Sequence, residues 1–175
     1  MLSNRLKGRW TMQRFLFAVF LVVVCATGAV AASIQEAEFA YDRGDYTQAA
    51  RLFRPLAEQG IAAAQVNLGM MYAKGQGVPQ DYQAALKWYR RAAEQGNGSA
   101  QNNLGLMYER GRGVRQDFIL AHMWSNIAAG ALNGDEGKTA LTRRDHVASQ
   151  MTAAQIEKAQ EMARRCQETK FKECE

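Results

Sequence analysis

Apolar side chains recur along this chain at intervals of three and four residues, the spacing of one face of an α-helix. Between residues 62 and 74 the apolar positions are Ala64, Leu68, Met71 and Tyr72. From about residue 82 to 94 they are Ala85, Trp88, Tyr89 and Ala92. The pattern therefore predicts two helices that each bury one face, joined by a short connection.

The connection carries two glycines, Gly75 and Gly77, in a GxG pattern. A phosphate-binding loop of that kind follows a strand and opens directly into a helix, whereas here a helix precedes the glycines. Gly75 follows the first helix, at the position where a helix C-terminus often has a residue in the left-handed conformation, which favours glycine. Asp81 can cap the N-terminus of the second helix. Gly69, inside the first helix, predicts close approach of a neighbouring helix, because glycine costs a helix about 1 kcal/mol.

The two-helix pattern repeats every 36 residues. Of the 30 positions from 64 to 93, 16 are identical to the residue 36 positions later. We place full units at 62–97 and 98–133 and a partial unit at 34–60. Two more helices, at about 135–149 and 152–167, follow without the repeat pattern, and Thr152 is a plausible N-cap for the second of them. Terminal elements of stacked repeats need a polar outer face, so residues 135–175 are predicted to be capping helices and a tail.

Residues 1–32 have a different composition. A leader with Arg5, Lys7, Arg9 and Arg14 precedes an uncharged, mostly apolar run from 15 to 32 that ends in small residues. This order is typical of a secretory signal peptide, with cleavage after Ala31 or Ala32. The alternative is an uncleaved membrane anchor, since 18 residues can just span a bilayer. Basic flanks stay cytoplasmic, so we expect a periplasmic or secreted domain, or one anchored in the inner membrane that faces the periplasm.

Removal of this leader changes the charge balance. The whole chain has 22 basic and 17 acidic residues, a net charge of +5. The leader holds four of the basic residues and none of the acidic ones, which leaves 18 against 17. No run of basic residues outside the leader is typical of nucleic-acid binding, so no nucleic-acid partner is expected.

Two cysteines, Cys166 and Cys174, lie near the C-terminus. A continuous helix would separate their Cα atoms by about 12 Å, too far for a disulfide. A bond between them therefore requires the chain after about Gln167 to turn back. The alternative is two free thiols in a frayed tail.

The unit A-x-x-x-L-G-x-M-Y-x-x-G-x-G-V-x-x-D-Y-x-x-A-x-x-W-Y-x-x-A-A resembles the Sel1-like repeat, a relative of the tetratricopeptide repeats. The resemblance covers both full units and the partial one. It implies an all-α fold, a right-handed α/α solenoid of helical hairpins. It also implies binding of a protein or peptide rather than catalysis. The second unit departs from the pattern at Arg115, which replaces Pro79, and at Ser125, which replaces Tyr89, so its aromatic packing should be thinner.

In solenoids of this kind the first helix of each unit lines the concave side. There the candidate peptide-binding residues are Asn67, Met70 and Lys74 in one unit and Asn103, Leu106 and Arg110 in the next. Asparagine can both donate to and accept from an extended peptide backbone. Related tetratricopeptide clamps use an asparagine with lysine or arginine, which suggests that Lys74 and Arg110 grip a ligand carboxylate. Alternatively, the asparagines make contacts within the repeat, and the two cations only stabilise the negative C-terminal end of their helix dipoles.

Residues suited to catalysis are few. Of the two histidines, His122 replaces a leucine of the preceding unit, and His146 follows Asp145 on a charged helix, where a solvated face is expected. No serine lies in a nucleophile-elbow pattern, and no metal or cofactor motif is present. We therefore expect an exported scaffold or adaptor of the cell envelope, without enzymatic activity, cofactor or metal. Homodimer formation is plausible for so short an arc. The alternative hypothesis is an envelope enzyme that acts on a cell-wall or small-molecule substrate.

Overall fold

The computed structural model describes residues 31–174, so the predicted signal segment lies almost wholly outside the described residues. Within 31–174 the chain forms eight helices and no strand. Helix α1 is described over 31–42. The others are α2 (Tyr46–Glu58), α3 (Ala62–Lys74), α4 (Tyr82–Ala93), α5 (Gly98–Arg110), α6 (Phe118–Ala131), α7 (Gly134–Ala148) and α8 (Ala153–Glu168). None of these helices is both long and apolar enough to cross a membrane.

Each helix from α2 to α6 packs on the next one along the chain, and α7 and α8 both pack on α6. One buried cluster joins α1, α2 and α3, and a second joins α4 to α8. Trp88 of α4 belongs to the first cluster, so it ties the second hairpin to the first. The predicted all-α solenoid of helical hairpins with a C-terminal capping pair is confirmed.

Local capping follows the repeat. Asp45, Asp81 and Asp117 cap α2, α4 and α6, and Oδ1 of Asp81 accepts hydrogen bonds from the backbone N–H groups of Gln83 (2.9 Å) and Ala84 (3.0 Å). Gly75 ends α3 with a φ of 70°, in the left-handed region. Thr152 caps α8 in a reciprocal capping box with Gln155. These caps confirm the predicted helix starts and ends.

The second glycine of each GxG pair joins neighbouring units. A Cβ on Gly113 would lie 2.6 Å from the carbonyl oxygen of Tyr82, the first residue of the preceding unit's second helix. Gly77 lies even closer to the carbonyl oxygen of Tyr46. These glycines therefore do more than turn the chain, because they let two backbones meet where units dock.

Gly69 lets a neighbouring helix approach closely, as its place inside a helix predicted. A Cβ there would lie 2.8 Å from Cε1 of Tyr89 in α4. In the next unit, Gly105 faces Ser125 instead, so α5 and α6 approach closely without an aromatic ring between them. The thinner aromatic packing predicted for this unit is therefore present.

Two buried glutamines link the units, a role the sequence analysis missed. Nε2 of Gln65 donates to the carbonyl of Ala57 (3.1 Å), and Nε2 of Gln101 donates to that of Ala93 (3.4 Å). Both carbonyls lie near the end of the preceding unit's second helix. Because both glutamines recur at the 36-residue spacing, the repeat was the signal that could have identified them.

The C-terminal tail turns back on α8. Cys166 and Cys174 form a disulfide with Cα atoms 4.5 Å apart. The reversal passes through Lys170 (φ 52°) and Phe171 (φ 64°), both in the left-handed region. The ring of Phe171 lies against Gly96, in the connection between α4 and α5. The tail therefore crosses from the last helix to an earlier unit.

Candidate functional site

The predicted peptide-binding residues lie on the faces of α3 and α5 opposite the buried positions Leu68 and Leu104. Half-buried members of this set are Asn67, Met70, Asn103 and Leu106. Lys74 and Arg110 are exposed in the last turns of the two helices. The structure thus places one amide, one apolar side chain and one cation on the same face of the first helix in each of two consecutive units. We call these six residues the inner face.

The polar groups of the inner face are not used within the described structure. The side-chain amides of Asn67 and Asn103 hydrogen-bond to no other residue between 31 and 174. Lys74 and Arg110 form no ion pair with that part of the chain. A half-buried amide without a protein partner retains two donors and two acceptors for a ligand backbone.

The capping helix α7 borders the inner face, which the repeat pattern did not indicate. Arg143 of α7 donates from Nε to Oδ1 of Asn102 (3.2 Å) and from Nη1 to Oε2 of Glu109 (2.9 Å). The side chains of Arg143 and Glu109 are each 15% exposed. Asn102 and Glu109 directly precede Asn103 and Arg110 in the sequence. The ion pair therefore holds α7 beside α5 and neutralises the carboxylate that directly precedes Arg110.

His146 is the residue placed most like a catalytic one. Its Nε2 lies 3.8 Å from Oε1 of Glu109, beside a surface hollow of about 490 Å³ between α5 and α7. The hydroxyls in this hollow, on Thr139 and Thr142, donate to backbone carbonyls of their own helix at 2.8 and 2.9 Å. Glu109 already pairs with Arg143, so its contact with the more exposed imidazole is peripheral. No group of three potential metal ligands lies within residues 31–174.

His122 is buried in α6, with only 2% of its surface exposed. Its Nδ1 has no hydrogen-bond partner among the described residues. Burial lowers the pKa of His122, and the Arg144 guanidinium lowers it further, while the Asp145 carboxylate opposes the shift. The imidazole is therefore neutral at pH 7, in a position that Leu86 fills in the preceding unit.

We expect His122→Leu to stabilise the protein and to reduce its sensitivity to acid. The unfolded state takes up a proton near pH 6.5, whereas the folded state does so at a lower pH, so stability is lost as the pH falls from about 6.5. Leucine removes both this linkage and the unpaired buried nitrogen, which costs about 1 kcal/mol or more. Urea unfolding at pH 7 and pH 5 measures the effect. Equal loss of stability on acidification in the variant and the wild type would contradict the assignment.

Comparison with known proteins identifies related repeats. A family model for the Sel1 repeat matches residues 40–61, 62–97 and 98–131. Among solved structures, the chain is similar to a protective antigen of uropathogenic Escherichia coli strains that displays an SLR fold. That match has 30% identity and a TM-score of 0.75, and covers 86% of this chain and 32% of the antigen. It is also similar to a Sel1 repeat protein from Oxalobacter formigenes, with 30% identity and a TM-score of 0.56 over 67% of this chain and 53% of that one.

The chain thus spans about a third of the length of the first of these proteins and about half of the second. Among curated proteins, none matches the chain. The resemblance to Sel1-like repeats inferred from the 36-residue unit is confirmed.

Proposed function

Because the chain belongs to the Sel1 repeat family, a family of protein-interaction scaffolds in general, we propose that it holds a protein or peptide partner on its inner face. The observation that carries this proposal is the pair Asn67 and Asn103. Both amides are half-buried, in equivalent positions, and free of hydrogen bonds to other residues from 31 to 174. Two such amides on parallel positions of stacked helices suit an extended peptide backbone.

The other inner-face residues complete a simple recognition surface. Met70 and Leu106 offer half-buried apolar contact, and Lys74 and Arg110 offer positive charge. Because Glu109 is neutralised by Arg143, the charge left on this face is positive. The partner segment is therefore one with a carboxylate near its apolar contact residue.

We expect Asn67→Ala/Asn103→Ala to weaken partner binding by about ten-fold or more, since loss of one or two net hydrogen bonds costs on the order of 1.4 kcal/mol. Affinity capture from an envelope extract, quantified by mass spectrometry, measures it. The matched control is Thr47→Ala/Gln83→Ala, which alters two exposed outer positions also 36 residues apart. If the folded asparagine variant retained every partner as well as this control does, the inner-face proposal would be wrong.

Export is part of the same proposal. The basic leader and the apolar run at 15–32 support secretion, followed by cleavage after Ala31 or Ala32. An inner-membrane scaffold that retains this segment, and a homodimer, are compatible forms. N-terminal sequencing of protein recovered from separated periplasm and membranes distinguishes a cleaved protein from an anchored one.

An envelope enzyme is the second candidate, and the approach of His146 to Glu109 is the observation in its favour. The threonine hydroxyls bonded to their own helix, and the pairing of Glu109 with Arg143, weigh against it. Turnover of cell-wall fragments that disappears in His146→Ala would support the enzyme. Turnover that the variant retains would come from elsewhere.

A further inference from the structure

Cations recur on the solvent-facing sides of α2 and α4, the second helices of two consecutive units. We call this surface the outer basic face, and it consists of Arg51, Arg54, Lys87, Arg90 and Arg91. Arg51 and Lys87 occupy equivalent positions one repeat apart, and so do Arg54 and Arg90. The cations therefore form two rows, each with one residue from α2 and the equivalent residue from α4.

Contacts with aromatic side chains position several of these cations. Arg54 donates from Nη2 to the hydroxyl of Tyr72 at 3.1 Å, and Arg90 donates to that of Tyr108 at 2.6 Å. Arg91 stacks on Trp88, with its Cζ 4.9 Å from the ring centroid. Guanidinium groups held in this way lose little entropy when they bind an anion.

Most of the positive charge on this face is not cancelled within the described chain. Arg51, Arg54, Lys87 and Arg91 are exposed, and none forms an ion pair with a residue between 31 and 174. Within α2 and α4 the only acidic residue is Glu58, at the C-terminal end of α2. Glu94, at the equivalent position one repeat later, lies just after α4. Five cations therefore share the surface with two carboxylates.

The surface ends where the next unit begins. The positions equivalent to Lys87 and Arg90 are Met123, which is buried, and Asn126. Helix α8 also packs on α6. The outer basic face is therefore two hairpins wide.

We propose that the outer basic face binds an acidic segment of a partner protein, separately from the inner face. The cations of consecutive units complement a segment that carries several carboxylates. In an extended chain, at about 3.3 Å per residue, an acidic side chain at every third residue recurs about every 10 Å. The inference goes beyond the proposed inner-face function, since it gives the protein a second binding surface with a different ligand chemistry.

The chemistry of this face favours an acidic protein segment over a membrane or a nucleic acid. Glu58 and Glu94 repel a continuous plane of phosphate headgroups, whereas a peptide can place neutral residues opposite them. The unpaired bases of a single-stranded nucleic acid bind proteins by stacking on exposed aromatic rings. Here Arg91 and Arg54 cover Trp88 and Tyr72.

The test uses the full chain in a nonionic detergent and a fluorescein-labelled peptide of four Glu-Ala-Ser repeats. Binding is followed by fluorescence anisotropy at low salt. We expect Arg51→Glu/Lys87→Glu to weaken binding by about ten-fold or more, because two attractive contacts become repulsive. The same peptide with Gln in place of Glu should bind at least about ten-fold more weakly to the wild type.

The matched control is Lys158→Glu/Arg164→Glu, which changes the net charge equally at exposed positions of α8. Its affinity should stay within about two-fold of the wild type, and circular dichroism should show all three proteins folded. The basic leader is common to all three, so its contribution cancels.

Three results would overturn the proposal: no binding by the wild type, equal loss in the α8 control, or equal binding of the glutamine peptide. Tighter binding of a 12-nucleotide single strand, lost in the outer-face variant, would assign the face to nucleic acid instead. Binding to phosphatidylglycerol vesicles lost in that variant, with no peptide binding, would assign it to a membrane.

Discussion

Replacement of Gly77 by alanine should destabilise the protein by about 3 kcal/mol or more. The added Cβ would lie on the carbonyl of Tyr46, at the start of α2, and on the amide of Thr47. Backbone cannot move aside as a flexible side chain can, so the contact separates two repeat units, and overpacking of this kind costs about 1–3 kcal/mol. The φ of 69° at Gly77 adds strain of about 1–2 kcal/mol for a residue with a Cβ.

Variants at two other glycines separate the cost of the backbone contact from the cost of the left-handed φ. Gly44 has a φ of 79°, but no atom lies within 4 Å of the place that a Cβ would take, so Gly44→Ala should cost only the backbone strain. Gly130 lies in α6 with open space around it and no positive φ, so Gly130→Ala should stabilise the helix by about 1 kcal/mol. Urea unfolding of the three variants gives the free energies of unfolding. Equal costs for Gly77→Ala and Gly44→Ala would show that the contact with Tyr46 contributes nothing.

Removal of the disulfide should lower the free energy of unfolding by about 2.5 kcal/mol, the loop-entropy value for a closed loop of roughly nine residues. Cys174→Ala is the suitable variant, since Cys174 is half-buried while Cys166 lies in the core. Without the bond, nothing covalent holds the left-handed reversal at Lys170 and Phe171. The contact of Phe171 with Gly96 should then loosen, and amide hydrogen exchange in the connection between α4 and α5 should increase.

Unfolding with and without a thiol reductant provides the control. The reductant should lower the stability of the wild type to that of Cys174→Ala and leave the variant unchanged. If the wild type is insensitive to reductant and equals the variant, the two cysteines are free thiols, which is the alternative that their spacing left open.

Much of the fold follows from local chemistry in the sequence. The helix period places Leu68 and Met71 in the core, and aspartate before each second helix marks its start, as Asp81 does. The 36-residue identity makes these signals repeat, so one correctly interpreted unit specifies the next. Gly69 could be predicted to face a close neighbour, because a glycine inside a helix needs a packing reason.

The candidate site could be predicted only in part. The repeat indicated that Asn67 and Asn103 share one face, since identical residues at the repeat period take equivalent positions. It gave no sign of α7 beside them, because Arg143 lies outside the repeat and its contact with Glu109 spans 34 residues. The outer basic face was missed for a different reason: its cations recur at the repeat period, but they form no run in the sequence and come from two helices.

The sequence by itself determined the helices, their caps, the unit length and the buried face, because each depends on residues within one or two turns of a helix. Only the tertiary structure decided what each unit touches: the carbonyl behind Gly77, the capping helix at Glu109, and the Tyr72 hydroxyl beside Arg54. These are contacts between segments far apart in the chain, and their geometry depends on how whole helices stack rather than on the residues beside them.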